Sequence, residues 1–121
     1  VIQLPLRGWW VMLEPPAGCH FRDDSASTFH IPSHDPAEVL DLLWCRGVHR
    51  VWLEGGPQLA GAFLAVNLVD EVIAHRAPTV LGGGRAAVVD PTVATLSQAP
   101  HFVIDDVPQL GPDGLIHGRH E

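Results

Sequence analysis

The run Val51-Trp52-Leu53-Glu54-Gly55-Gly56-Pro57 most constrains what this chain can fold into. A short apolar run reads as a strand, consecutive glycines as a turn, and proline suits the first position of a helix, where its missing N–H costs nothing. The same residues carry the first chemical reading. A ligand phosphate needs close backbone approach and several N–H donors. Glycines ahead of a helix offer both, because they lack Cβ and the helix start carries partial positive charge. In open α/β sheets, ligands bind beyond the carboxyl ends of strands, so Glu54 stands where its carboxylate can hydrogen-bond a polar ligand. The competing reading is a tight strand-to-helix turn with a solvated glutamate, and a glycine pair alone does not separate the two.

The flanking sequence predicts the rest of the pattern. Trp9 to Leu13 reads as a buried strand closed by Glu14-Pro15-Pro16-Ala17-Gly18, Cys19 to Ser27 as a loop, and Thr28 to Ile31 as a second strand. Asp35 is the expected N-cap and Pro36 the first residue of a helix carrying Val39, Leu40, Leu42, Leu43 and Trp44, which stops near Gly47. Val48 to Leu53 is the next strand. The helix from Pro57 places Leu59, Phe63 and Val66 on one face, and Asn67 ends it in a left-handed conformation with Leu68 packing back. Glu71 to Ala77 forms a strand stopped by Pro78, and two closing strands, 101–104 and 114–118, flank a Gly-Pro-Asp-Gly turn. Strands alternating with helices predict one α/β domain, its sheet mostly parallel, with an antiparallel hairpin at the C-terminus.

Composition narrows the partners. With 121 residues and 46% hydrophobic content the chain can bury a core. The net charge is −7 and all seven basic residues are scattered arginines, which argues against nucleic acid or an anionic membrane as a partner. The apolar runs are too short to span a bilayer, Pro5 and Arg7 break any signal-peptide pattern, and Cys19 and Cys45 form no disulfide framework, so a soluble cytoplasmic protein is expected. The opening on Val1, in mid-pattern, predicts a processed chain or the C-terminal part of a longer polypeptide.

Other candidate sites are weaker. Gly82-Gly83-Gly84-Arg85 reads either as a turn requiring positive φ or as a second anion loop with Arg85 as a charged donor. The eight histidines, His30 and His34 around Pro32 among them, match no zinc spacing, and the zinc-deaminase signature is absent. No metal is expected. No Gly-x-Ser-x-Gly elbow supports a serine triad. Trp9, Trp10, Trp44 and Trp52 are expected in the core or at an interface, with one of Trp9 and Trp10 facing a subunit contact.

Residues 51–64, together with Leu68-Val69-Asp70-Glu71, Ala77-Pro78 and Leu81-Gly82-Gly83-Gly84-Arg85, resemble the C-terminal reductase domain of the bacterial riboflavin-biosynthesis deaminase/reductase. The match is dense and gapless over residues 48–88. The resemblance implies a dihydrofolate-reductase-like fold and NADPH-dependent reduction of the ribosylamino group of 5-amino-6-(5-phosphoribosylamino)uracil, a phosphorylated pyrimidine. It implies a substrate-binding role for Glu54 and cofactor binding by Gly55, Gly56, Pro57, Gln58, Leu59, Ala60, Gly61 and Ala62, names no catalytic proton donor, and implies a homodimer. Gln58 stands in place of a common threonine, and His75-Arg76 where apolar or aromatic residues are usual. The family's domain has a further N-terminal portion, so residues 1–121 are expected to be the C-terminal part of such a domain. The rival readings are a non-catalytic remnant or interaction module of the same fold, and a related reductase acting on another pterin or pyrimidine.

Overall fold

The computed structural model describes the backbone of residues 2–4, 9–12 and 28–120, and side chains from residue 31 to residue 120. The elements in chain order are β1 (Ile2–Leu4), β2 (Trp9–Met12), β3 (Thr28–His30), α1 (Pro36–Trp44), β4 (Trp52–Leu53), α2 (Pro57–Ala65), β5 (Glu71–Arg76), a 3₁₀ turn (Leu96–Gln98), β6 (Phe102–Asp106), β7 (Gln109–Leu110) and β8 (Asp113–His120). The expected turn after β2, the loop 19–27 and the side chains of Trp9, Trp10 and His30 lie outside the described residues.

Both helices begin and end by local chemistry. Asp35 caps α1, its Oδ1 accepting from the Ala37 N–H at 2.8 Å, and Pro36 follows at the first position. At the other end Gly47 takes φ +77°, the Gly47 N–H donates to Trp44 O, and Val48 N–H reaches back to Leu43 O. That pair of bonds is the Schellman arrangement, which needs a left-handed residue at its centre. Asn67, at φ +59°, does the same for α2, with its own N–H on Leu64 O and the Leu68 N–H on Phe63 O. Asparagine tolerates that conformation better than most side chains.

Among the described residues the buried core lies around the two helices. Ile31, Val39, Leu43 and Phe63 are buried, with Leu40, Val48, Val51, Leu53, Leu59 and Val69 packed on them. Pro36, Val39 and Leu43 form the buried face of α1 at the spacing a helix demands. Val66 departs from expectation: α2 ends at Ala65, so Val66 sits in the cap position and is half-exposed. Trp44 and Trp52 are surface residues, 64% and 47% exposed, and do not join the core.

The expectation of a mostly parallel sheet is corrected. The first sheet has the order β3-β2-β1-β4, and only β2 and β3 pair in parallel; β1 is antiparallel to both β2 and β4. The second sheet, β5-β8-β6 with β7 also on β8, is antiparallel throughout. The reason lies in the connections. A parallel neighbour needs a crossover of a dozen or more residues, whereas short turns force antiparallel return. From these pairings β3 and β4 run the same way, so α1 is a crossover, but it skips two strands and β1 fills the gap against the grain. The strand expected over Val48–Leu53 shrinks to Trp52–Leu53, because β1 offers partners only at Ile2↔Leu53 and Gln3↔Trp52. The two expected closing strands are present as the antiparallel pair β6 and β8, but β7 is inserted at the turn, where Gly111 takes φ +63°, and the pair lies in the second sheet rather than at the edge of the first.

Candidate cofactor and substrate site

The starts of α1 and α2 differ in one respect that bears on ligand binding. The first-turn N–H groups of any helix lack intrahelical acceptors. At α1 a carboxylate of the chain itself, Asp35, meets one of them. At α2 the N-cap is Gly56, extended at φ −71° and ψ 171°, with no side chain to accept, and no acidic residue stands in the first turn. Helical bonding begins only with Ala60 N–H on Gly56 O at 3.1 Å. The α2 start therefore carries positive partial charge that no cap of its own neutralises.

The glycines around it do different things. A Cβ on Gly56 would meet nothing within 4 Å, so backbone there is open to close approach. A Cβ on Gly55 would fall 2.5 Å from Leu59 Cδ2, so a side chain there would push Leu59 aside. Gly61 is buried, and a Cβ there would lie 1.9 Å from Val89 O. That contact belongs to a strap formed by residues 88–90, whose Val89 N–H donates to Pro57 O at 2.9 Å across the first turn of α2.

The structure thus sorts the sequence-derived site residues. Glu54, Gly56 and Gln58 are exposed around the helix start, while Gly55, Pro57, Leu59, Ala60 and Ala62 are half-buried and Gly61 is buried under the strap. Glu54 follows the last residue of β4, and its Oε1 accepts a hydrogen bond from the indole Nε1–H of Trp52 at 2.9 Å. Sequence reasoning passed over this partner, although the signal was present: residues two apart on a strand share a face.

Elsewhere, Gly82 and Gly84 have φ +68° and +145°, conformations that account for glycine at both positions, and the loop they form is exposed. Among the described residues no group of three or more His, Cys, Asp or Glu side chains is placed to hold a metal ion. No helix there is long and apolar enough to cross a membrane. Cys45 is exposed with a free thiol, and Cys19 lies outside the described residues. On the second sheet Arg119 grips Asp105 through Nε and Nη2, the latter at 2.8 Å from Oδ1. The guanidinium hydrogen bond holds the Asp105 carboxyl below its ordinary range, against a smaller opposing effect of burial. Sequence reasoning missed this pair too, because its members are far apart in the chain.

The family profile of the RibD C-terminal domain matches residues 17–115. Riboflavin biosynthesis protein RibD of Mycobacterium tuberculosis is 40% identical over 114 residues, which is 94% of this chain and 33% of that protein. A protein of Buchnera aphidicola named 5-amino-6-(5-phosphoribosylamino)uracil reductase is 30% identical over 62% of this chain and 37% of its own length. Among solved structures, Acinetobacter baumannii RibD superposes with a TM-score of 0.64 at 27% identity, over 80% of this chain and 27% of that one. The chain spans about a third of the length of the curated relatives it matches. With a profile match over most of its residues and a 40% identical relative aligned across nearly all of it, the chain belongs to the RibD C-terminal domain family.

Proposed function

We propose that this chain, residues 1–121, is the C-terminal part of a reductase domain that reduces 5-amino-6-(5-phosphoribosylamino)uracil with NADPH, working as a cytoplasmic homodimer. Membership of the RibD C-terminal domain family and the reductase name of the Buchnera relative support the reaction. The observation that carries the assignment of the site is the uncapped start of α2, open at Gly56 and bordered by the exposed carboxylate of Glu54.

The donor set fits the phosphate portion of a dinucleotide. Backbone N–H groups of Gly56 and Gln58 supply neutral donors at the positive end of a helix, which suits an anion in a segment without basic side chains. Gly55 and Pro57 shape this turn, Leu59 packs on the core, Gly61 lets the 88–90 strap lie close on the helix, and Ala60 and Ala62 continue the helix behind its start. When bound, the dihydronicotinamide supplies a hydride. Glu54 accepts hydrogen bonds from donors of the substrate and so fixes its orientation; positioning, rather than a protein nucleophile, is the chain's contribution.

The test uses the full-length protein. NADPH titration followed by its fluorescence should saturate for both the wild type and Glu54→Gln. Turnover of the phosphoribosylaminouracil by Glu54→Gln should fall about tenfold to hundredfold, the worth of a charge-assisted hydrogen bond. An absence of saturable NADPH binding by the wild type would sink the reductase reading and favour a non-catalytic module. Undiminished turnover by the variant would remove Glu54 from the site.

A further inference from the structure

We infer that Trp52 is a positioning residue for the reaction, its indole N–H holding the Glu54 carboxylate in the orientation that meets substrate. This rests on the proposed role of Glu54. The Trp52 backbone is paired with Gln3 of β1, so the base of the side chain is set by the sheet. Glu54 follows directly after β4 on the same side, and its Oε1 lies 2.9 Å from Trp52 Nε1, well within hydrogen-bonding range. Both side chains are exposed, so the bond stands at the surface where a ligand would arrive rather than within the core.

The chemistry of the two groups suits the task. An indole offers one donor and no acceptor, so it takes a single lone pair and leaves the rest of the carboxylate free to accept from a ligand. Its rigid ring turns about only two side-chain torsions, whereas a solvated glutamate turns about three and spreads over many rotamers. Holding one oxygen narrows that spread before substrate binds, which is the general benefit of preorganisation. The other exposed tryptophan described, Trp44, instead places its ring edge-to-face on His49 at 4.4 Å between centroids. The contact with an acid thus belongs to the tryptophan beside the glycine turn.

The experiment is a four-variant cycle on the full-length protein: wild type, Trp52→Phe, Glu54→Ala, which removes the acceptor, and the double variant. Phenylalanine keeps a ring and removes the donor. Trp52→Phe should lower kcat/KM for the phosphoribosylaminouracil about threefold to tenfold, as expected for one solvent-exposed hydrogen bond that acts through Glu54, and leave the Kd for NADPH unchanged. In the Glu54→Ala background, where no acceptor is left for the indole, the same substitution should change kcat/KM by much less. An equal loss in both backgrounds would assign the effect to the ring and overturn the inference while leaving Glu54 in the site. No loss in the wild-type background would overturn it as well. Full activity of Glu54→Ala alone would overturn the inference together with the reading beneath it. Independently of how well Trp52→Phe folds, the indole ¹H–¹⁵N resonance of Trp52 should move on Glu54→Ala substitution, which removes the acceptor, and an unmoved resonance would show that the bond does not form in solution.

Discussion

Residues 31–69 and residues 70–120 are stabilised in different ways. In the first region two helices bury Val39, Leu43 and Phe63 against Ile31. In the second, an antiparallel sheet is held by its ladder, by the Arg119–Asp105 pair and by a His117–Glu71 contact at 3.4 Å, while Val103 and Ile104 remain about half exposed. Its buried positions are the glycines Gly114 and Gly118. Burial of apolar side chains is the dominant favourable term in folding, and exposed ion pairs are worth little. The helical region therefore carries most of the local stability, and it is the region that presents Glu54 and the α2 start.

The sharpest way to break that comparison is a pair of truncations. Leu43→Ala, at a side chain only 1% exposed, should destabilise the full-length protein by about 3–5 kcal/mol in denaturant unfolding. Ile104→Ala, at 53% exposure, should cost about 1 kcal/mol or less. Equal costs would show that the second sheet is covered in the assembled protein and that the contrast belongs to the isolated chain.

A glycine-to-alanine change sharpens it next. Inside a helix this change ordinarily stabilises by about 0.4–1 kcal/mol. At Gly61 the new methyl would run into Val89 O, so Gly61→Ala should instead destabilise by about 1–3 kcal/mol as the strap is pushed away. A stabilised Gly61→Ala would show that the 88–90 strap does not clamp α2.

The smallest effect is expected at the ion pair of the second sheet. The Asp105 carboxyl is held low by Arg119, so its contribution is present above the ordinary carboxylate pKa and lost as pH falls through the lower folded value. That window lies below about pH 4. The Arg119 pKa is raised, and arginine stays charged throughout that range, so it adds no slope there. Asp105→Asn should leave the urea midpoint nearly unchanged at neutral pH and flatten its fall on the acid side. An acid limb identical to that of the wild type would assign the acid sensitivity to other carboxylates.

Much of the candidate site was legible before the structure. Pro57 as the first residue of α2, Asn67 at its end, and the glycine turn after the strand are all consequences of backbone chemistry within a few residues. The division of labour among the glycines was not legible. Gly55, Gly56 and Gly61 look alike in sequence, yet Gly55 lies against the Leu59 side chain, Gly61 against the Val89 backbone, and Gly56 faces open space. The Trp52–Glu54 bond stood in between: spacing put both residues on one side of a strand, but only the folded geometry aimed the indole at the carboxylate.

What the sequence by itself determined is the set of local signals. Asp35 and Pro36 start α1, Gly47 and Asn67 end the helices, and Gly111 turns the last hairpin, because each depends on a φ preference or a side-chain acceptor at the position itself. Only the tertiary structure decided which strands are neighbours, which way they run and how long they stay paired. β1 lies antiparallel between β2 and β4, β4 keeps two paired residues, and Trp44 and Trp52 lie at the surface. Those outcomes depend on hydrogen bonds and packing between residues distant in the chain, and no short window of residues encodes them.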